Sequence, residues 1–264
     1  MPRFARDWSF SRPGLRVARF CCDGSDGRRP SDERVDADRV WVVVRGRFEV
    51  RGRRWRQMAD PMTALLFRAD DAYEVTHPDG GDVCLTFSGS LATALVDAGP
   101  RARPVGAAAW SRLHAAAARL GGGDALAALA VEETLATALA PPASAPAPGR
   151  DRDVAAAIAH DVRRRFDERL PLLELAGEAG VTMFHACRVF RRVMGESIHQ
   201  YQLEVRLRHA LALLLDTRAA LADVAATTGF ASQAHLTHRF HRRFGVTPGS
   251  VRAGTAARLE VATG

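Results

Sequence analysis

The chain has no lysine, so all 37 of its basic residues are arginine. Base composition in a GC-rich genome produces such a bias, which leaves the arginine positions more informative than their number. Cysteine is scarce: Cys21, Cys22, Cys84 and Cys187 form no CxxC pair, and vicinal cysteines rarely bridge one another. That excludes a disulfide framework and fits a reducing compartment. No stretch offers about 18 consecutive strongly apolar residues, so no membrane span is expected. The N-terminal MPRFARDWSF lacks the apolar run of a signal peptide, and a cytoplasmic protein is expected. Residues 1 to 100 hold a single histidine, His77. A catalytic metal cupin needs several convergent His/Glu ligands, so oxygenase chemistry is not expected there. With no catalytic triad, P-loop or dinucleotide fingerprint either, the expectation is no enzyme, no cofactor and no metal.

A chain of 264 residues is long enough for two compact domains. Its apolar fraction of 47% and charged fraction of 25% are ordinary, while the net charge of +7 favours an anionic partner. The sharpest change in composition is PPASAPAPG at 141–149, uncharged and Pro/Ala-rich, which reads as a semi-extended linker. The expected organisation is a first domain over 1–140, a linker over 141–150 and a second domain over 151–256.

In the first part, RVWVVVRGRFEVRGRRWRQ (39–57) carries β-branched and aromatic runs broken by Gly46 and Gly52. Further short strands are expected near 63–67, 72–77 and 83–88, giving a small sandwich or barrel of the cupin or jelly-roll kind. From about 106 to 140, apolar residues at helical spacing around a GGG break predict two helices. This pair either completes the domain or packs on a second subunit. After the linker every element reads as helix: Leu172 to Ala179, Thr182 to Met194, Ile198 to Leu215, Leu221 to Thr228 and Ser232 to Phe244. Thr182 and Ser232 suit N-caps, Gly180 and Gly195 suit left-handed turns, and Thr247-Pro248 opens a last short helix. The fold class expected is α+β with two domains: a cupin-like barrel with a helical hairpin, then an all-α domain.

The second domain repeats itself. LAGEAGVTMFHACRVFRRVMGES aligns with VAATTGFASQAHLTHRFHRRFGVT. Ala176 precedes Gly180 by four residues, as Ala225 precedes Gly229; Phe190 precedes Gly195 by five, as Phe240 precedes Gly245. A short helix, a glycine turn and a second helix with a basic end is helix-turn-helix grammar. Helical spacing places Leu236, Phe240 and Phe244 on one apolar stripe, with Ala234, His238, His241 and Arg242 roughly opposite. In the first copy Ala186, Phe190 and Val193 are expected to form the stripe, with Phe184, Arg188, Arg191 and Arg192 away from it. About seventeen helical residues join the copies, roughly 25 Å at 1.5 Å per residue. Two recognition helices so held could meet successive major-groove segments on one face of a duplex.

From about 170 to 253 the sequence resembles the AraC/XylS family of bacterial transcription regulators. The resemblance rests on LPLLELAGEAGVT, FRRVMGESIHQY, RLRHALALLL and above all GFASQAHLTHRFHRRFGVTP. The last matches the signature G-F-x-S-x-x-H-[FL]-x-x-x-F-[RK]-[RK]-x-F-G-x-[ST]-P, departing at His241. The resemblance implies that the second helix of each unit lies in the major groove. It implies base-edge contacts from Phe184, Cys187 and Arg188 in the first unit and from Gln233, Ala234, Thr237 and His238 in the second. His235 then stands nearer the backbone. Two further positions depart: His238 stands where many members carry arginine, and Ala186 replaces a larger apolar residue.

Chemistry gives each residue two readings. Arg188 either pairs bidentately with guanine O6 and N7 or joins a surface ion pair. Gln233 either addresses adenine or caps its helix, and Phe184 either meets a thymine methyl or packs on a neighbouring helix. Cys187 is a small groove-facing residue or a redox thiol. Arg191, Arg192, Arg242 and Arg243, with His235, suit phosphate contacts or are solvated charge. Trp41, Trp55, Tyr73 and His77 line an effector pocket or belong to ordinary core and rim. The function expected is a sequence-specific regulator, an activator by the family's commoner habit, controlled by an effector or by dimerisation. Its expected partners are double-stranded DNA, a small-molecule effector, RNA polymerase and a second copy of the chain. Two alternatives are a cupin enzyme with an appended DNA-binding module and a protein that coats nucleic acid by charge. Residues 151–264 carry 16 Arg against 12 acids, a net +4 that is modest for a pure electrostatic coat.

Overall fold

The computed structural model describes residues 4–22, 31–53, 55–77, 81–98, 101–140 and 149–253. Two compact units divide the chain between Pro141 and Pro142. The stretch read as a linker lies, but for its last two residues, outside the described residues, as do residues 254–256 of the expected second domain.

The first unit opens with the antiparallel hairpin of β1 (Phe4–Arg12) and β2 (Leu15–Cys22), followed by β3 (Ser31–Arg34), β4 (Arg39–Arg45), β5 (Phe48–Gly52), β6 (Trp55–Ala59), β7 (Thr63–Phe67), β8 (Ala72–Thr76) and β9 (Val83–Ser88). Helix α1 (Ser90–Asp97), strand β10 (Ala102–Pro104), α2 (Ala107–Gly121) and α3 (Ala127–Ala138) complete it. The strands near 63–67, 72–77 and 83–88 and the helix pair around the GGG break form as their patterns predict. Strands β1, β2, β3 and β10 and helix α1 are additions to that reading.

These strands make two sheets, a six-stranded one ordered β1-β2-β9-β4-β7-β10 and a four-stranded one ordered β3-β8-β5-β6. No strand pairing joins them among the described residues, so the barrel alternative gives way to an open two-sheet sandwich. The physical reason is that the chain changes sheets at its turns, from β4 to β5 through Gly46 (φ +80°) and from β6 to β7, instead of carrying hydrogen bonds across. Strand β4 is buried on both faces and reads as a continuous apolar run. Trp41 and Val43 face Phe48, Val50, Tyr73 and Val75 between the sheets. The helices cover the other face of the six-stranded sheet: Trp110 on α2 is buried and donates its indole N–H to the Val43 carbonyl at 2.8 Å. Arg103 on β10 donates to the carbonyls of Leu95 and Leu139, tying α1 to the end of α3.

The second unit is all helix: α4 (Arg150–Arg164), α5 (Leu172–Glu178), α6 (Met183–Met194), α7 (Ile198–Asp216), α8 (Leu221–Thr227), α9 (Gln233–Phe244) and α10 (Pro248–Arg252). The repeat is therefore three helices long: α4-α5-α6, then α7-α8-α9. Helix α4 is absent from the sequence reading; its buried stripe is Val154, Ala155, Ile158, Ala159 and Val162 at helical spacing. The joining helix α7 has 19 residues, about 28 Å, and starts with a capping box between Ser197 and Gln200. No helix among the described residues is long and apolar enough to cross a membrane.

Candidate nucleic-acid interface

Each helix-turn-helix is built by the same local chemistry. The turn after α5 places Gly180 at φ +66°, with Val181 N donating to the Ala176 carbonyl at 3.0 Å; after α8, Gly229 stands at φ +74° and Phe230 N donates to Ala225 at 2.9 Å. Thr182 and Ser232 cap the second helices, their hydroxyl oxygens accepting from His185 N and His235 N at 3.3 and 3.1 Å. Both helices end on a left-handed glycine, Gly195 and Gly245. In α9 the expected stripe of Leu236, Phe240 and Phe244 is wholly buried. In α6 the buried stripe is Ala186, Val189 and Phe190. Val193, expected there, is 37% exposed.

The outward faces carry the expected groups. Phe184 is 82% exposed on the first turn of α6, a large apolar side chain left in water. With Cys187, Arg188 and Arg191 it lines a groove of about 480 Å³ that also takes in His199 and Gln202 of α7. On α9, Gln233, Ala234 and His238 are exposed, and Thr237 and His235 are half-buried. Arg188, Arg191 and Arg242 are exposed, and no acidic partner meets them among the described residues.

The other two arginines expected at phosphates are already engaged. Arg192 pairs with Asp151 on α4, and Arg243 pairs with Glu204 on α7 through Nε–Oε2 at 2.7 Å and Nη2–Oε1 at 3.1 Å. The pairings correspond across the repeat, each bracing a recognition helix against the long helix that opens its unit.

Three functional side chains escaped sequence reasoning. Arg206 on α7 donates to three backbone carbonyls: Phe166 and Glu168, before α5, at 2.6 and 2.7 Å, and Gly229, in the second turn, at 2.7 Å. Gln202 donates to Phe166 and Glu168 as well, at 3.0 and 2.9 Å. Together they bind the entry of the first helix-turn-helix to the turn of the second. The third is Arg239, whose Nε donates to His235 Nε2 at 3.4 Å while the His235 ring meets Phe230 edge-on. The RLRHAL segment was the available signal for Arg206, an arginine embedded in an apolar run.

Burial lowers the pKa of His235, and the positive charges of Arg239 and Arg206, with His238 and His199, push the same way. The folded unit thus resists a proton that the unfolded chain accepts near pH 6.5. The stability penalty is absent above that pH and grows as pH falls below it, until His235 protonates in the folded state. His235→Gln is expected to flatten the loss of stability on acidification, read as denaturation midpoints at neutral and mildly acid pH. Equal slopes in the two proteins would place the acid sensitivity elsewhere.

In the first unit, three of the four expected effector residues come together. Trp41, Tyr73 and His77 line an inter-sheet pocket of about 150 Å³, with the Trp41 and Tyr73 rings edge-to-face at 5.3 Å. Trp55 is not among its lining residues: it opens the edge strand β6, packs on Phe67 and carries the Arg101 guanidinium over its ring.

Residues 175–254 match the helix-turn-helix domain family. Over 104 residues the chain is 34% identical to the HTH-type transcriptional regulator GlxA of Rhizobium meliloti (strain 1021), covering 39% of this chain and 32% of that protein. It is 28% identical over 103 residues to the Melibiose operon regulatory protein of Escherichia coli (strain K12), covering 39% and 34%. The DNA-binding domain of AdpA, the global transcriptional factor, solved in complex with a target DNA, aligns with 40% of this chain and 96% of that chain at 27% identity and a TM-score of 0.38. The chain thus spans about a third of the length of the curated relatives it matches. The matched sequence and the twice-repeated turn and cap geometry coincide, and the C-terminal unit is a helix-turn-helix domain of the AraC type.

Proposed function

We propose that the chain is a sequence-specific DNA-binding transcription regulator, whose α6 and α9 enter successive major-groove segments of one duplex. The observation that carries this reading is the pairing of two in-register units, each with a buried apolar stripe and an outward polar face. Phe184, Cys187 and Arg188 address base edges from the first unit; Gln233, Ala234, Thr237 and His238 do so from the second. Arg191 and Arg242 hold phosphates, with His235 near the backbone, whereas Arg192 and Arg243 must first leave their carboxylates to join them. The N-terminal unit, an open sandwich, binds a small effector in the Trp41–Tyr73–His77 pocket or pairs with a second copy. Leu126 and Leu129, exposed at the start of α3, support pairing through the helical hairpin. An effector acts by binding one arrangement of the protein better than another, and the output is activation through RNA polymerase in the cytoplasm.

A binding titration tests the reading on DNA from immediately upstream of the protein's own gene against scrambled DNA, at two salt concentrations. The native site is expected to win by orders of magnitude at matched salt. Arg188→Ala is expected to remove about 1–3 kcal/mol of that preference, a tenfold loss or more. Equal binding of both DNAs, unchanged by Arg188→Ala and by selection from random sequence, would leave only charge-driven binding.

A further inference from the structure

Among the described residues, one cluster of metal-ligating side chains converges: Cys22, His77 and Asp82. All three are buried, and their ligand atoms lie within 4.8 Å of one another. Each comes from a different place. Cys22 ends β2, His77 follows β8 and Asp82 precedes β9. The backbone fixes them together: Cys22 N donates to the Asp82 carbonyl at 2.9 Å, and Gly46 in the β4–β5 turn presses on Asp82 so closely that a Cβ there would stand 2.8 Å from the Asp82 Cβ. His77 Nδ1 lies 2.5 Å from Asp82 Oδ1, and the Phe48 ring flanks the imidazole at 5.6 Å.

Burying an imidazole and a carboxylate beside a thiol in an aromatic-walled pocket is costly unless the polar groups are paired and any charge is compensated. A hydrogen-bonded His77–Asp82 pair does this in part. A divalent cation uses all three. The mixed S, N and O donor set suits zinc and its neighbours and disfavours magnesium or calcium, which take oxygen ligands. Bonds of about 2.0–2.3 Å require donor atoms roughly 3.3–3.7 Å apart. Separations of up to 4.8 Å therefore close by no more than about 1.5 Å, and the His77–Asp82 contact opens by about 1 Å.

We propose that Cys22, His77 and Asp82 form a binding site for a divalent cation of the zinc class, with the fourth coordination position open to the pocket lined by Trp41 and Tyr73. Three protein ligands and one open position leave room for water or a small ligand to complete the shell. Cys22 binds as thiolate, so uptake releases its proton to solvent and tightens as pH rises. The site stands whether or not the pocket above it holds an effector, because the metal reports on itself.

The test is titration of the reduced, metal-free full chain with Co²⁺, followed by Zn²⁺ displacement. The expected result is a 1:1 thiolate-to-cobalt charge-transfer band in the near ultraviolet, which zinc abolishes. Cys22→Ser is expected to eliminate the band, His77→Gln and Asp82→Asn to weaken cobalt affinity by about 100-fold or more, and Cys21→Ser and Cys187→Ser to leave it unchanged. Circular dichroism checks that each variant folds. Should the Cys22 variant not fold, alkylation of the wild-type protein decides: zinc must protect Cys22, located by peptide mass, from iodoacetamide. No charge-transfer band in the folded wild-type protein, a band that survives Cys22→Ser, or alkylation of Cys22 unaffected by zinc would each overturn the proposal.

Discussion

Gly229→Ala is expected to cost the C-terminal unit about 3–5 kcal/mol, while the same change at its counterpart, Gly180, costs only about 1–2 kcal/mol. Both glycines turn the chain between the helices of their units with positive φ, +74° and +66°, so both substitutions incur the left-handed penalty of an L side chain. Their surroundings differ. A Cβ on Gly180 meets nothing within 4 Å, whereas one on Gly229 stands 2.4 Å from the Asp167 carbonyl oxygen and 2.8 Å from its Cα. Those are backbone atoms, which cannot rotate aside, and Arg206 pins the same stretch through Phe166, Glu168 and Gly229. The added methyl therefore forces apart the two helix-turn-helix motifs of the C-terminal unit. Hydrogen exchange of the α8 and α9 amides in the full-length chain reads the difference. Gly229→Ala should raise exchange there by at least a hundredfold, with Gly180→Ala changing the α5–α6 amides far less. Equal effects at the two positions would mean that the junction yields and the contact with Asp167 is not binding.

That asymmetry marks the limit of what the repeat made legible. Residues whose job is local are readable from neighbours in the chain: Thr182 and Ser232 cap, Gly195 and Gly245 terminate, and Leu236, Phe240 and Phe244 line up at i, i+4 and i+8. Residues whose job is tertiary are not. Arg191 and Arg192 are adjacent and alike, yet one is free of acids and the other is turned onto Asp151, 41 residues away. Arg242 and Arg243 repeat the contrast, with Glu204 39 residues distant. Helix α4 carried end signals, Gly149 before it with Asp151 and Asp153 in its first turn, but its stripe mixes small alanines with Val154, Ile158 and Val162.

In the first unit, alternation located most strands, but not how sheets close. The hairpin of β1 and β2 turns at Pro13-Gly14, a recognised turn signal between two alternating runs, and was there to be found. Whether the sheets form a barrel or a sandwich depends on where edge strands find partners, and β6 and β10 carry no local mark of that. The same holds for the pocket. Trp41 and Trp55 look equivalent as strand aromatics; Trp41 sits on a central strand facing β8, and Trp55 on an edge. Cys22 read as half of a vicinal pair and His77 as a lone histidine. Only the pairing of β2 with β9 brings the two beside Asp82.

Arg206→Met is expected to destabilise the C-terminal unit and to act on DNA without touching it. Methionine keeps much of the buried stem and removes the guanidinium, so the loss is chiefly of three charge-assisted hydrogen bonds to carbonyls. Gln202 still serves Phe166 and Glu168, which leaves the Gly229 carbonyl most exposed to the change. The expected cost is about 2–4 kcal/mol of stability, less than three separate bonds would suggest. Removing Gln202 as well, in Arg206→Met/Gln202→Leu, then leaves all three carbonyls without these donors and costs more than the two single changes added. Arg206 spans the junction between the entry of the first helix-turn-helix and the turn of the second, so its loss loosens the spacing of α6 against α9. Affinity for the native site should fall at least tenfold under conditions where the variant remains folded, with the ranking of single-base operator variants preserved. Arg188→Ala should do the reverse, eroding the ranking at guanine positions with a smaller loss on scrambled DNA. If Arg206→Met keeps full affinity while folded, the two recognition helices are spaced by α7 alone and the carbonyl clamp serves stability only. If it changes the base ranking, Arg206 itself reaches the duplex.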